Sequence, residues 1–373
     1  MCCNLSNPQR DGLETAVILN HIKISQFRNL VDTQLSPSSV NVLAGKNGSG
    51  KTSVLEAIYY LGHGRSFRTV YGHHLINHQH DRFNLWAQIQ DHERSCPLGV
   101  EKSKQEHKIK YDGESVRNSS VLARLLPIQV INPDVHRLLE DTPRYRRKFL
   151  DWGVFHVEHS YGTLWKRFHA LLKQRNAALK KRWDYSLVKH WDAELIQVVS
   201  QIDDIKKAYS IRLEEIFKQY AQLFHVPVPN MAYYSGWPKD QTYEESLHQS
   251  WDQDLDSGFT RLGPHRSDLI LKLGSYRAKD VVSRGQQKVI AILLKLAQVK
   301  LFVQSENRPI VLLMDDLASE LDQTFTHAII ELLQTTHCQL FVTATETDKL
   351  EPLLCLPGST MFHVEHGLVK EVV

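Results

Sequence analysis

Hydrophobic and polar positions change rhythm three times along the chain. Over Ile22–Phe27 they alternate, Val40–Ala44 is a short apolar run, and Phe83–Gln90 alternates again, a pattern that predicts strands. A glycine-rich turn follows the second of these, and Thr52–Leu61 then takes helical spacing. From about Pro143 to Leu223 glycine all but vanishes and apolar residues move to steps of three and four. Trp191, Leu195, Val198, Ile202, Ile205, Tyr209, Leu213, Ile216, Tyr220 and Leu223 form a heptad-like seam. Leu164, Phe168, Leu171 and Leu179 form a second stripe, suited to an antiparallel partner. Two arrangements stay open, a buried bundle helix and a projecting two-helix arm.

Residues 226–258 are rich in Pro, Gly, Trp and Tyr and predict a return connection. Beyond Leu262 the pattern predicts a strand over Leu269–Leu273, a helix over Gln286–Gln304 and a buried strand over Ile310–Met314. A helix over Phe325–Thr335 and a strand over Gln339–Thr343 follow. The pentapeptide FHVEH occurs at Phe155–His159 and again at Phe362–His366, without flanking similarity, so it marks no repeat.

A chain of 373 residues predicts two domains, or three, and 42% hydrophobic with 23% charged residues is enough apolar material for a core. No apolar run approaches the ~20 residues of a membrane span. The first fifteen residues lack the basic-then-apolar order of a secretory signal, and the expectation is a protein neither membrane-spanning nor exported. Five scattered cysteines (Cys2, Cys3, Cys96, Cys338, Cys355) without metal-ligand spacing fit a reducing cytoplasm. The formal charge of +3 is too small to signal nucleic acid, but Arg137–Arg182 carries twelve Lys and Arg against four Asp and Glu, a local net of +8. Such a stripe is the footprint of sequence-independent, salt-sensitive phosphate contacts; its plainer reading is a solvated helix face. No zinc finger or major-groove reading helix is legible, so recognition would be of DNA form. His73, His74, His78 and His80 read as a polar loop.

The chemistry concentrates in Gly45-Lys46-Asn47-Gly48-Ser49-Gly50-Lys51-Thr52, which fits G-x-x-x-x-G-K-[ST] between an apolar strand and a helix. Glycines let consecutive N–H groups converge on phosphate oxygens, and the helix adds its positive end. Lys51 would reach the β- and γ-phosphates and the Thr52 hydroxyl would ligate Mg²⁺. The strand Ile310–Met314 ends in Asp315-Asp316. Asp315 would hold Mg²⁺ through water, and Asp316 sits where a base polarises the attacking water. Lys51 and Asp315 must reach one Mg-nucleotide across more than 260 residues, which predicts an ATPase split by an insertion.

Val282-Ser283-Arg284-Gly285-Gln286-Gln287-Lys288 precedes an apolar helix and resembles the signature of ABC-type ATPases. There Ser and Gly at a helix N-terminus bind the γ-phosphate held by the opposite subunit; a plain N-cap is the alternative. Ser319-Glu320-Leu321-Asp322 looks like the D-loop of that class. Six blocks in one order resemble the RecF family of bacterial recombination and repair ATPases, relatives of the SMC proteins. They are IKISQFRN (Ile22–Asn29), GHGRSFRT (Gly62–Thr69), YRRKFLDW (Tyr145–Trp152), GPHRSD (Gly263–Asp268), Ser283–Lys288 and DDLASELD (Asp315–Asp322).

The resemblance implies an α/β fold, a P-loop ABC-type ATPase head of mixed sheet and flanking helices with an inserted α-helical arm domain. Its parts would be residues 17–135, the first part of the head; 136–257, the arm; and 258–373, the rest of the head with the signature and acidic pair. It further implies ATP and Mg²⁺ as cofactors, head-to-head homodimerisation on ATP, slow hydrolysis, binding of single-stranded, gapped or duplex DNA, and cooperation with RecO and RecR mediators in replication, recombinational repair and the SOS response. It carries Arg28, and after it Arg65, over as nucleotide-phosphate contacts. Gly285 and Gln286 come with Ser283 as signature contacts. Three departures point to weak turnover. No switch histidine stands near Thr343-Ala344-Thr345. No Gln-loop glutamine stands out, Gln129 or the Asn132-Pro133-Asp134 turn being the candidates. Asp316 replaces the more usual glutamate. The first fifteen residues have no counterpart in the family pattern, which suggests a start further downstream. The classes weighed against this reading are the ATPase subunit of a transporter, against which the helical insertion argues, and an ATP-gated defence nuclease, for which too little chain follows Thr343.

Overall fold

The structure, a computed structural model, describes residues 18–91, 94–316, 323–346 and 350–372. The described residues divide into two units, one running to Val135 and resuming at Glu306, the other His136–Ser305. In the first unit the early alternation becomes an antiparallel sheet of β1 (Leu19–Phe27), β2 (Leu30–Leu35), β4 (Arg82–Asp91), β5 (Arg94–Ser103), β6 (His107–Tyr111) and β7 (Glu114–Ser115), in the order β2-β1-β4-β5-β6-β7. Ile22 and Ile24 of β1 and Phe83, Leu85, Ala87 and Ile89 of β4 point inward, while Lys23 faces solvent, as period two requires; Phe27, also buried, falls out of that phase after Gln26 turns to φ 61.

A second sheet has the order β15-β14-β3-β13-β12-β8. Its strands are β3 (Val40–Ala44), β8 (Ile128–Ile131), β12 (Ile310–Met314), β13 (Cys338–Ala344), β14 (Ser359–Glu365) and β15 (Leu368–Val372). All neighbours pair in parallel except β14 with β15. β3, β12 and β13 are buried at every position, as expected of parallel strands covered on both faces. The helix Lys51–His63 is buried at ten of its thirteen positions, and its Leu55 and Ile58 join Phe27 and Phe83 of one sheet and Leu313 and Phe341 of the other in a single core. A helix buried on nearly all sides is held between layers.

The second unit is built on the helices Tyr161–Lys180 and Tyr185–Leu223, joined by four residues and therefore antiparallel. The seam is buried at Leu195, Val198, Ile202, Tyr209, Leu213, Ile216 and Tyr220, facing Phe168, Leu171 and Leu179; it lapses at Leu223, which is exposed. The hairpin does not project bare. Helices Tyr243–Gln249 and Trp251–Ser257 pack on it near the turn, with the Tyr185 ring against His248 and Trp251. Within residues 226–258, read as a connection, lies a strand, β9 (Asn230–Tyr234). It pairs with β10 (Asp268–Leu273), which pairs with β11 (Tyr276–Arg277). That long-range pairing draws the chain after residue 257 into this unit, so the second unit ends at Ser305, later than the arm boundary read from the sequence. Among the described residues no helix is long and apolar enough to cross a membrane.

The charge stripe over Arg137–Arg182 is not one exposed face. Arg146 is buried and grips Asp268 at 2.8 and 2.9 Å; Arg175, fully buried, donates to Asp192, Asp254 and Thr260, each at 2.8 Å. Two of the twelve cations are therefore internal, because long-range carboxylates neutralise them.

At Gly153, in the helix Pro143–Val157, a Cβ would stand 1.9 Å from the Tyr209 hydroxyl and 2.6 Å from Gln298 Nε2. Gly153→Ala should therefore destabilise the protein by about 1–3 kcal/mol through overpacking, measurable as a lower urea midpoint with an unchanged slope.

Candidate functional site

The loop from β3 into the helix Lys51–His63 forms the cradle. Lys46, Asn47 and Gly48 are exposed at its rim, while Ser49, Gly50 and Lys51 are buried beneath it and Gly45 lies half-buried where it leaves the strand. The Lys51 ammonium donates to the Gly45 and Lys46 carbonyls at 2.7 and 2.9 Å, holding the loop closed around its own charge. Burial pushes the Lys51 pKa below its ordinary value, against the opposing pull of Asp316 and Asp315. The Ser49 hydroxyl is buried without a hydrogen-bond partner. A buried hydroxyl left unpaired at the cradle can donate to an incoming oxyanion.

Asp315 follows β12 and meets the cradle directly. Thr52 Oγ1 donates to its carboxylate at 2.9 and 3.2 Å, and the Asp315 N–H donates to the Ile131 carbonyl at 2.8 Å. Thr343 Oγ1 donates to Asp315 Oδ1 and accepts from the Asp316 N–H, both at 2.8 Å. Asp316 has φ 55, a left-handed turn that carries the chain off the strand end. A hydroxyl and a carboxylate are hard oxygen donors suited to Mg²⁺, which keeps waters and phosphate oxygens for its other positions. Among the described residues no group of three or more His, Cys, Asp and Glu forms a protein-only metal cage.

Arg28 is placed otherwise than as a free phosphate contact. Its guanidinium is forked onto Glu56 at 3.0 and 2.9 Å, and Glu56 is fully buried in the cradle helix. Ser66 Oγ also donates to that carboxylate, and Arg68 approaches it at 3.5 Å. The next residue, Asn29, donates to the Ser49 carbonyl at 3.2 Å and accepts from Ser53 Oγ at 2.9 Å; a Cβ on Gly50 (φ 120) would stand 2.9 Å from its amide nitrogen. Arg65 is exposed and hydrogen-bonded to Tyr59, which stacks on His63 at 4.0 Å.

Ser283, Gly285 and Gln286 lie in the other unit, at the start of the helix Arg284–Glu306. Ser283 Oγ accepts from the Gln286 N–H at 3.3 Å and Gln286 Oε1 from the Ser283 N–H at 3.0 Å, a reciprocal cap. Ser283, Arg284 and Gly285 are exposed, and a Cβ on Gly285 would meet nothing within 4 Å. Ser319–Asp322 lies outside the described residues.

The structure thus brings Gly45–Thr52, Asp315 and Asp316 together and sets Arg28 beside them. It adds Thr343, Asn29 and Glu56, which the sequence reading did not assign. Thr343 was noted only for the missing histidine. The one signal for Glu56 was a carboxylate inside an otherwise apolar helix face, four residues after Thr52.

Arg28→Ala would leave Glu56 with only Ser66 and the long Arg68 contact. The expected loss is about 2–3 kcal/mol of folding stability, read from chemical denaturation without nucleotide; an Arg28 uncommitted to Glu56 would give no change.

The model of the RecF/RecN/SMC N-terminal domain family matches residues 18–366. The chain is 40% identical over 357 residues to the DNA replication and repair protein RecF of Shewanella piezotolerans, covering 95% of this chain and 99% of that one. It is 39% identical over 366 residues to the protein of that name from Stutzerimonas stutzeri, covering 95% and 97%. Among solved structures, that of the recombination mediator protein RecF with ATP in the RecFOR pathway superposes with a TM-score of 0.84 at 23% identity, over 95% of this chain and 99% of that one. An SMC head bound to the C-terminal winged-helix domain of ScpA follows at 0.57 and 14% identity, over 95% and 97%. The fold is that of the ABC-type heads of these proteins, and the chain belongs to the RecF family of DNA replication and repair proteins within the RecF/RecN/SMC class.

Proposed function

We propose that this protein is an ATP-driven switch that assembles on DNA during replication and recombinational repair. The observation that carries the reading is the meeting of Thr52 and Asp315 at 2.9 Å beside a buried, unpartnered Ser49 hydroxyl. ATP enters the cradle with its phosphates on the Gly45–Thr52 backbone, and Lys51 turns from the Gly45 and Lys46 carbonyls to the β- and γ-phosphates. Thr52 and Asp315 hold Mg²⁺, which supplies charge neutralisation when bound. Asp316 orients the attacking water and accepts its proton; Thr343, fixed between the two acids, takes the place where a histidine would sense the γ-phosphate. Exposed Ser283 and Gly285 complete the pocket of a second copy, so ATP closes two copies head to head and hydrolysis releases them. DNA is held by its backbone without sequence preference, and RecO and RecR are the mediators served.

The direct test is gel-shift binding to gapped, duplex and single-stranded DNA, with and without ATP, across a salt series. ATP-strengthened, salt-sensitive binding is expected; no binding to any of the three would overturn the reading. Lys51→Arg should keep the fold and weaken nucleotide binding about tenfold or more, since a guanidinium fork does not replace a point charge in the cradle; titration with a fluorescent ATP analogue reads this. Ser283→Arg should leave nucleotide affinity within about twofold and abolish ATP-dependent dimerisation, because a bulky cation on an exposed cap blocks a second copy's approach. Sedimentation velocity with ATP distinguishes the outcomes.

A further inference from the structure

Two of the sequence blocks, Tyr145–Trp152 and Gly263–Asp268, take no part in the cradle or the signature, and in space they are one construction. The buried pair Arg146–Asp268 joins them, and Arg147 donates to the Ser267 carbonyl at 3.2 Å. The carboxylates here are used internally: Asp268 by Arg146, and Asp151 by the buried Lys206 and the Tyr161 hydroxyl, each at 2.8 Å. Among the described residues, two guanidiniums of these blocks make no ion pair with a carboxylate, half-buried Arg147 and exposed Arg266. The Arg147 pKa is pushed below its ordinary value chiefly by burial, with Asp268 and Asp151 opposing and Arg266 and Arg146 adding to the shift. Next to them His265 is pushed down to about 4, by burial first and Arg266 second, so it is neutral at pH 7.

The helix Tyr161–Lys180 passes the same place, its Phe168 ring stacked on His265 at 5.8 Å. It contains no Asp or Glu in twenty residues. Arg167 is tied to Glu194 and Arg175 is buried, but Lys166 and Lys173 are exposed and without partners among the described residues, two turns apart on one face with His169 between them. Seven residues of helix set the two lysines' backbones about 10 Å apart. Exposed cations spaced along a helix face suit a polyanion of repeating charge better than a single small anion.

We infer that Arg147, Arg266, Lys166 and Lys173 form a track for the DNA phosphodiester backbone, held in shape by the Arg146–Asp268 pair. The inference rests on the DNA-binding reading and names its surface. It excludes Arg146 and Arg175 from contact and adds Arg266, which lies outside the charge cluster seen in the sequence.

Fluorescence-anisotropy titration of labelled single-stranded and duplex DNA over a salt series tests it, on full-length protein. Arg266→Ala should weaken binding about threefold to tenfold and lower the slope of log affinity against log salt by about one. The pair Lys166→Ala with Lys173→Ala should lower it by about two. Binding of an ATP analogue should not move, and Lys218→Ala, a cation paired with Glu214, should match the unsubstituted protein. Arg266 and both lysines are exposed, so these variants carry the test even if Arg147→Ala does not fold. Unchanged affinity and slope in both, with the unsubstituted protein binding DNA, would overturn the track alone. Failure of the unsubstituted protein to bind would overturn the DNA reading and the track together.

Discussion

The Thr52 hydroxyl and the Asp315 carboxylate lie 263 residues apart in the chain and 2.9 Å apart in space, and the first unit is arranged so that they meet. Three parallel strands end at one level: Ala44 pairs with Ala344, and Met314 with Val342. Continuing that register by one residue sets Asp315 opposite Thr343, the pair joined at 2.8 Å. The cradle loop leaves the end of β3 at the same height. Ligand sites of open α/β sheets form outside the carboxyl ends of the strands, and here the strand ends and the cradle that leaves them bring Lys51, Asp315, Asp316 and the hydroxyls of Ser49, Thr52 and Thr343 to one spot. Without the pairing of β3 with β13 and of β13 with β12, the acids and the cradle would be separate motifs.

The cradle is braced from the antiparallel sheet. Arg28 and Asn29 form the turn between β1 and β2, and Arg28 adopts φ 55, a conformation that costs a non-glycine residue about 1 kcal/mol or more. The fork onto buried Glu56 offsets that cost, and it fixes the turn so that Asn29 reaches the Ser49 carbonyl. Glu56 also gathers Ser66 and Arg68 from the loop after the cradle helix. One carboxylate therefore ties together the strand turn, the cradle helix and the following loop. Its burial is tolerable because charged donors surround it.

What could be read from the sequence was what local chemistry dictates. The cradle, the acidic pair and the long seam each carry residue types with a strong local preference, and the structure sets the first between β3 and a helix, the second just past β12 and the third along one helix. Partners set by the tertiary fold were not legible. FHVEH ends a helix at Phe155–His159 and runs along β14 into its turn at Phe362–His366, five identical residues taking opposite forms because their neighbours differ. β9 was read as a connection because Pro, Gly and Trp flank it, and its strand exists only through pairing with β10. Counting charges between Arg137 and Arg182 could not show that Arg146 and Arg175 turn inward, since Asp268 and Asp254 come from far along the chain. Thr343 was noticed as the absence of a histidine, although register alone makes it the partner of Asp315.

The exposed start of the helix Arg284–Glu306 is the feature that its own unit explains least. A glycine in the first turn of a helix costs up to about 1 kcal/mol relative to alanine, and at Gly285 nothing lies within 4 Å of where a Cβ would be. Packing within the unit therefore does not call for glycine there. Ser283 does cap the helix, but through a 3.3 Å hydrogen bond at a solvent-exposed position, a weak contact that an anion could replace at little cost. A bare backbone at a positive helix end, beside a loosely held hydroxyl, is what an approaching phosphate needs and what a merely structural cap does not. The glycine makes physical sense if something from outside the unit comes close to the backbone, and a triphosphate carried by a second copy has the charge and shape to do so.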